Sequence, residues 1–331
     1  MSDESRKMES AIRKSSIVEG IENVTHLAEG GYSNTYRLDT HKKSYVVKIR
    51  TDNLVWRLQR EYTLLSHKKV VKESLGPEIY RFDKSGDLFE LPYLLEEYVE
   101  GTHPKGNWGK KSRIDPSFVQ AMAKWYRQLH SITIKGLEND DPAIGILDWE
   151  DEVRRINSIT YYYTGNPDGI PPDNKPGLSS WIGSDKSEIL SAEVIEICRK
   201  HDSILKRDVY NMIHCDPNPD NIFIQEDGSI KIVDWDFAGY HIYERDLALF
   251  FNAYNLTNEE ETLFLKNYGK QPDAAFLIKL DIMKLVHSAG ECLNPPPWFK
   301  KERVKKQIEK NFKTIREIKR LSGQLVRTNH T

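Results

Sequence analysis

Residues Asn211 to Gly239 read NMIHCDPNPDNIFIQEDGSIKIVDWDFAG, and they constrain the fold more tightly than any other part of the chain. Ile222, Phe223 and Ile224 form a short β-prone run, Ile230 to Val233 form a second, and the polar turn Gln225-Glu226-Asp227-Gly228-Ser229 separates them. That pattern specifies a hairpin. Antiparallel strands return the chain to where it began, so Asn221 and Asp234 are expected side by side, with Asp216 just upstream on the same loop. An amide oxygen beside a carboxylate suits a hard cation such as Mg²⁺, which shares its coordination with phosphate oxygens. Asp216 is then left to accept a hydroxyl proton, a division of labour known from phosphoryl-transfer loops. A single Asp/Asn pair at a turn is ordinarily a local cap. Four polar residues in fixed order around one hairpin call for more than capping.

The segments HCDPNPDN and IVDWDFAG resemble the HGDxxxxN and (I/V)DW(D/E) signatures of the aminoglycoside phosphotransferase and choline kinase-like superfamily, the small-molecule branch of the protein-kinase-like fold. The match departs at Cys215, where the family usually has Gly, and at Pro217, where it usually has an apolar residue. The resemblance implies an α+β, two-lobed protein-kinase-like fold. Residues 1–99 would form a small antiparallel-sheet N-lobe and residues 100–331 a larger, mainly helical C-lobe.

Composition narrows the field. The chain of 331 residues has length enough for two lobes and carries a formal net charge of −2, which argues against obligatory binding to nucleic acid or an anionic membrane. Cys198, Cys215 and Cys292 are odd in number and far apart, without a CxxC pair, so neither a disulfide framework nor a zinc site is indicated. The amino terminus is polar and no apolar run approaches the length needed to span a bilayer. A soluble cytoplasmic protein with no obligate protein partner is expected.

Residues 1–20 read as a frayed or helical lead-in. His26 to Leu38 then place Gly30-Gly31 between two strand-like segments, and Ser44 to Ile49 reads as another strand. Strand, glycine turn, strand is the pattern of a loop laid over nucleotide phosphates, since Gly lets backbone amides approach an anion closely. Paired glycines also make ordinary hairpin turns. The third glycine of protein kinases is missing, which leaves contacts to the backbone and to Ser33 and Asn34.

Lys48 lies inside an apolar strand, and a buried ammonium needs a partner. Leu54, Leu58, Glu61 and Leu65 follow at helical steps, which puts Glu61 on the apolar stripe of the next helix. A Lys48–Glu61 pair reaching the nucleotide phosphates is the expectation from the resembled family. The strand LPYLLEEY, Leu91 to Tyr98, would close the lobe, and Glu97, Tyr98 and Val99 would form the hinge that offers backbone groups to the base.

Asp115-Pro116-Ser117 marks a helix start. His130 near that helix's end reads as a satisfied core histidine rather than a ligand. Between His130 and His214 lies a long insertion, with the aromatic run Tyr161-Tyr162-Tyr163 and a Pro/Gly-dense loop from Gly165 to Gly177. Such a loop serves either as a lid or as a surface connection. Asp246 follows Asp234 by only a dozen residues, leaving no room for the activation segment of a protein kinase, and reads as a structural carboxylate that caps its helix or braces the catalytic loop. From Glu259 onward the chain reads as helical with one break at Asn294 to Trp298. The basic last helix keeps an apolar stripe and reads as packed rather than as a nucleic-acid surface. Trp298 and the tyrosine run are candidates for an acceptor pocket around a cationic ligand.

The combined expectation is transfer of the γ-phosphoryl group of ATP or GTP to a hydroxyl of a small acceptor, with Mg²⁺ as cofactor. Asp216 would be the catalytic base. Asn221 and Asp234 would hold the metal, with Asp236 assisting metal or acceptor. Gly30, Gly31, Ser33, Asn34, Lys48, Glu61, Glu97, Tyr98 and Val99 would hold the nucleotide. An aminoglycoside, choline, ethanolamine or a sugar fits as acceptor. A nucleotide-binding pseudokinase or scaffold is the competing reading.

Overall fold

The computed structural model describes residues 3–29, 33–50, 55–104, 114–135, 184–293 and 300–328. Gly30, Gly31, Trp298, the tyrosine run and the Gly165 to Gly177 loop lie outside the described residues.

The amino-terminal part is an antiparallel sheet with the order β1-β2-β3-β5-β4. Its strands are β1 (Ile21–Glu29), β2 (Ser33–Thr40), β3 (Ser44–Arg50), β4 (Ile79–Asp83) and β5 (Tyr93–Glu97). The two-residue period sends Val47 and Ile49 to one face, where they pack with Tyr36, Leu38, Tyr93 and Leu95. Helix α1 (Asp3–Lys14) covers that face: Ile12 joins the same cluster, and the Tyr36 hydroxyl donates to the Ser5 carbonyl at 3.2 Å. The amino-terminal segment is thus a packed helix that seals the sheet. Val46 and Lys48 lie on the opposite face, where Lys48 meets Glu61 of α2 (Val55–Leu65), the helix that precedes the short α3 (Lys68–Lys72).

The carboxy-terminal part is mainly helical. Asp115 accepts a hydrogen bond from the Ser117 amide at 2.8 Å and Pro116 occupies the first turn, so α4 (Pro116–His130) starts where the sequence signals it. Phe118, Met122, Trp125 and Leu129 recur at helical spacing and are buried. Helix α5 (Ser184–Lys200) and the single turn α6 (Asp202–Leu205) lead to β7 (Val209–Ile213), the middle strand of a small sheet with β6 (Thr133–Lys135) and β10 (Gly239–His241). This sheet escaped the sequence reading because its two outer strands are three residues long and pair with β7 across long stretches of chain, with no tight turn to mark them. The expected hairpin is present as β8 (Ile222–Ile224) and β9 (Ile230–Ile232), with Gly228 at φ +79° in its turn.

Helices α7 (Glu244–Tyr254), α8 (Asn258–Tyr268), α9 (Ala274–Leu293) and α10 (Lys301–Thr328) complete the core. The break between α8 and α9 was not expected. Thr257 and Glu260 form a reciprocal capping box that starts α8, and Gly269 at φ +80° ends it. On α10, Val304, Ile308 and Ile315 are buried in the core, so its apolar stripe is a packing face. No described helix is long and apolar enough to cross a membrane.

The two parts are joined behind the hairpin. The Leu75 carbonyl accepts from the Ile232 amide at 3.1 Å and from the Trp125 indole at 2.9 Å, tying the segment after α3 to β9 and α4. Trp235 is fully buried here, and Gly76 makes room for it. A Cβ at Gly76 would lie 2.5 Å from Leu65 Cδ2 and 2.9 Å from Trp235 Nε1. Gly76→Ala should therefore lower the unfolding free energy by about 1–3 kcal/mol through overpacking. Chemical denaturation checks this, and an unchanged midpoint would show that the junction is loosely packed.

Candidate active site

The loop that bears Asp216 begins where β7 ends. Asp246, at the start of α7 and with no exposed surface, accepts the His214 amide at 2.8 Å on one oxygen and the Cys215 amide at 2.7 Å on the other. His130 Nε2 lies 3.1 Å from Asp246, and the other ring nitrogen of His130 meets the Tyr268 hydroxyl at 3.0 Å. His130 is thus the satisfied core histidine that was expected, and Asp246 braces the loop. Burial alone would raise the Asp246 carboxyl, but the His130 hydrogen bond and charge, with the two amides, hold it below the usual range. Cys215 adopts φ +67°, a left-handed conformation that glycine takes without strain. The Asp246 bond to its amide helps hold the cysteine in that geometry.

Asp216 follows, held from both sides. Its Oδ1 accepts the Asn218 amide at 3.2 Å and its Oδ2 accepts the Asn221 side-chain amide at 2.8 Å. Burial, helped by the charge of Asp234, pushes its carboxyl up to about 6. Asn218 caps a 3₁₀ turn, Pro219–Asn221, that delivers Asn221 to the start of β8. The Val233 amide then donates to the Asn221 carbonyl at 2.9 Å, so hairpin pairing sets Asn221 and Asp234 beside each other. Because Asn221 spends its NH₂ on Asp216, its amide oxygen remains as a donor atom for a cation. Asp234 stands at φ +64°, and its carboxylate makes no hydrogen bond or ion pair among the described residues. These two oxygen donors fit Mg²⁺, which completes its shell with phosphate and water. Among the described residues no three His, Cys, Asp or Glu side chains cluster as a closed metal cage.

On the amino-terminal sheet, Lys48 of β3 lies 2.5 Å from Glu61 on α2, both buried. The same Glu61 oxygen accepts the Trp235 amide at 3.2 Å. One carboxylate oxygen thus connects the lysine to the backbone next to Asp234. A second carboxylate, Glu96 on β5, lies 3.0 Å from the Lys48 ammonium and is 2 % exposed. Burial would discharge Lys48, but Glu61, Glu96 and Asp234 outweigh it and its pKa is raised. Burial pushes both glutamates up as well, Glu96 to about 7, against the pull of Lys48.

Glu97 closes the sheet and reaches the hairpin: both its oxygens meet Lys231 of β9, at 2.7 and 2.8 Å. The Glu97 amide donates to Glu78 and the Tyr98 amide to Ser44, whereas no hydrogen bond from the Val99 amide is made among the described residues. Thr102 pairs with Ile224, carrying the chain along the hairpin. Ser33 and Asn34 open β2 opposite Arg50 and Ile49, at the end of the sheet next to the glycine pair. Asp236 stands apart from Asn221 and Asp234 in its bonding, since Arg50 approaches it at 3.4 Å and Arg57 at 3.2 Å. A metal or acceptor at Asp236 would have to compete with two guanidinium groups.

Sequence reasoning missed Glu96, Lys231 and the two arginines. Glu96 was within reach of it, since a two-residue period from Leu94 in LPYLLEEY puts Glu96 on the face that meets Lys48. The arginine contacts carry no local signal, because residues 50 and 236 are brought together only by the lobe junction.

A family model described as the phosphotransferase enzyme family (APH) matches residues 25–277, about three quarters of the chain. The chain belongs to this phosphotransferase family. Among solved structures, the choline kinase LicA from Streptococcus pneumoniae is similar at 17% identity, with 96% of this chain and 100% of that one covered and a TM-score of 0.60. Spectinomycin phosphotransferase APH(9)-Ia, in complex with ADP and spectinomycin, is 16% identical over 93% of this chain and 98% of that one, with a TM-score of 0.57.

The ADP-bound aminoglycoside phosphotransferase APH(2'')-Ib is 14% identical over 96% of this chain and 99% of that one, with a TM-score of 0.61. At these identities the likeness is one of fold: a protein-kinase-like small-molecule kinase architecture. No curated protein sequence matches the chain.

Asp246→Ala would leave two buried amides and His130 without their acceptor. It should cost about 3–5 kcal/mol of stability, the range for breaking a buried charged network. Denaturant unfolding measures this, and a loss below about 1 kcal/mol would remove the brace from the account.

Proposed function

We propose that the protein transfers the γ-phosphoryl group of ATP, or of GTP, to a hydroxyl of a small molecule. The observation that carries this reading is the Glu61 oxygen shared by the Lys48 ammonium and the Trp235 amide, which ties a phosphate-binding cation to the loop bearing Asp234. In this reading residues 1–99 form the nucleotide lobe and residues 100–331 the acceptor lobe, in a cytoplasmic protein whose three cysteines are joined in no disulfide. The nucleotide lies between them, its phosphates on Lys48 and beneath the Gly30-Gly31 turn with Ser33 and Asn34. The base meets the backbone of Glu97 to Val99, where the Val99 amide is the donor left over. Asn221 and Asp234 hold Mg²⁺, which when bound neutralises phosphate charge.

Asp216 orients the acceptor hydroxyl and takes its proton as the hydroxyl oxygen bonds to the γ-phosphorus. The bond from that phosphorus to the β–γ bridging oxygen breaks, and the nucleoside diphosphate leaves with the electron pair. Asn221 fixes the Asp216 carboxylate through its 2.8 Å hydrogen bond. Asp236, held by Arg50 and Arg57, serves in this scheme first as a clasp between the lobes, and assists metal or acceptor only by exchanging one of those partners.

The acceptor is a small alcohol of the kind the similar structures name, choline or an aminoglycoside. A pseudokinase is disfavoured by the joint presence of Lys48, Asp216, Asn221 and Asp234. Coupled ADP release across a panel of amino alcohols, aminoglycosides and sugars tests the proposal, with turnover on at least one expected. Asp216→Asn should lower turnover about 10²–10⁴-fold while Mg·ADP still raises the melting temperature. Turnover near that of the wild type would remove Asp216 from its role, and a wild-type protein that binds nucleotide without turning over any alcohol would favour the pseudokinase.

A further inference from the structure

Two carboxylates share one ammonium at the back of the cleft, and only one of them was needed. Glu96 and Lys48 lie on adjacent antiparallel strands, with Val46 opposite Glu96 and Lys48 opposite Leu94. They are therefore diagonal neighbours on one face of the sheet, within reach of long side chains. Glu61 and Glu96 meet Lys48 at 2.5 and 3.0 Å from opposite elements, α2 and β5. The charged groups facing Glu96 are Lys48 from β3, Glu61 from α2 and Asp234 from the segment after β9. Its neighbour across on β4, Ile79, carries no charge.

Counting charges, two carboxylates and one ammonium leave an excess negative charge in a site almost closed to water. Such a charge is costly, and a bound proton relieves it. The hydrogen bonds say which carboxylate takes that proton. Glu61 accepts from both Lys48 and the Trp235 amide, which favour its anion, whereas Glu96 Oε2 is buried with no hydrogen-bond partner among the described residues.

We infer that Glu96 is a positioning residue for Lys48: when ionised it draws the ammonium toward β5 and away from the nucleotide phosphates, and when protonated it releases the ammonium to them. This rests on the proposal that Lys48 meets those phosphates. The elevated pKa of Glu96, about 7, places the change near neutrality. Bound phosphates add negative charge, favour the protonated carboxyl further and so raise that value. Nucleotide binding above neutral pH must then draw in a proton, and affinity must fall as pH rises past the value of the free protein.

Calorimetric titration of the full chain with Mg·ADP, from pH 6 to pH 9, tests this. The wild-type dissociation constant should weaken above pH 7, with a limiting slope of about tenfold per pH unit for one linked proton. Glu96→Gln should flatten that rise and bind more tightly than wild type at pH 9, while matching it within about twofold at pH 6, where both carry a neutral side chain. Glu96→Met is the second variant should the amide fail to fold. Titrations of the wild type at pH 8 in buffers of different ionisation enthalpy give the proton count without any mutation. Net uptake supports the inference, and its absence overturns it. Identical pH profiles for wild type and variant overturn it while leaving nucleotide binding intact. Absence of Mg·ADP binding by the wild type at every pH overturns the nucleotide reading and this inference together.

Discussion

One oxygen of Glu61 carries two bonds on which the geometry of the cleft depends. It accepts from the Lys48 ammonium in the sheet and from the Trp235 amide in the loop after the hairpin. Each group alone is an ordinary buried polar atom seeking a partner. Joined, they fix the distance between a cation on one side of the cleft and a carboxylate, Asp234, on the other. A hydrophobic contact at the same place would bring the lobes together without setting that distance, because dispersion is not directional. Around this link the packing is dense: Trp235, Trp125 and His214 meet at edge-to-face angles, with Gly76 making room behind them.

On the other side of the catalytic loop the same economy recurs in Asp246. Its two oxygens take the His214 and Cys215 amides, and His130 and Tyr268 support it from α4 and α8. The aspartate proposed to act on substrate, Asp216, is therefore not the one buried most deeply. Asp216 and Asp234, to which the proposal assigns chemistry, are only partly buried, while Asp246 and Glu61 are buried and hold backbone amides in place. Preorganisation of this kind is what a phosphoryl-transfer site needs, since positioning and electrostatics do most of its work.

Much of this was legible in the chain itself, and the reason is local. The hairpin is encoded in two apolar runs and a polar turn, so the juxtaposition of Asn221 and Asp234 follows from a stretch of contiguous residues. Lys48 and Glu61 were legible because a charge on an apolar strand and another on the apolar stripe of the next helix pose the same burial problem. What escaped was set at longer range or at shorter length. The strands β6 and β10 are three residues long and pair with β7 across long stretches of chain, and Gly269, which ends α8 before α9, was read through as helix. Arg50 and Arg57 reach Asp236 only because the lobes pack, and no pattern within either segment announces it. Glu96 was not considered, although alternation from Leu94, which lies opposite Lys48, puts it on the face of the lysine.

Glu61, which in the proposed scheme touches neither nucleotide nor metal, organises both. The most direct measurement is the affinity of Mg·ADP for Glu61→Gln against wild type at fixed pH, with the unfolding midpoint measured alongside. The account predicts binding weakened by about tenfold or more, equivalent to about 1.4 kcal/mol, in a protein that still unfolds cooperatively. A folded variant that binds Mg·ADP as tightly as the wild type would contradict it.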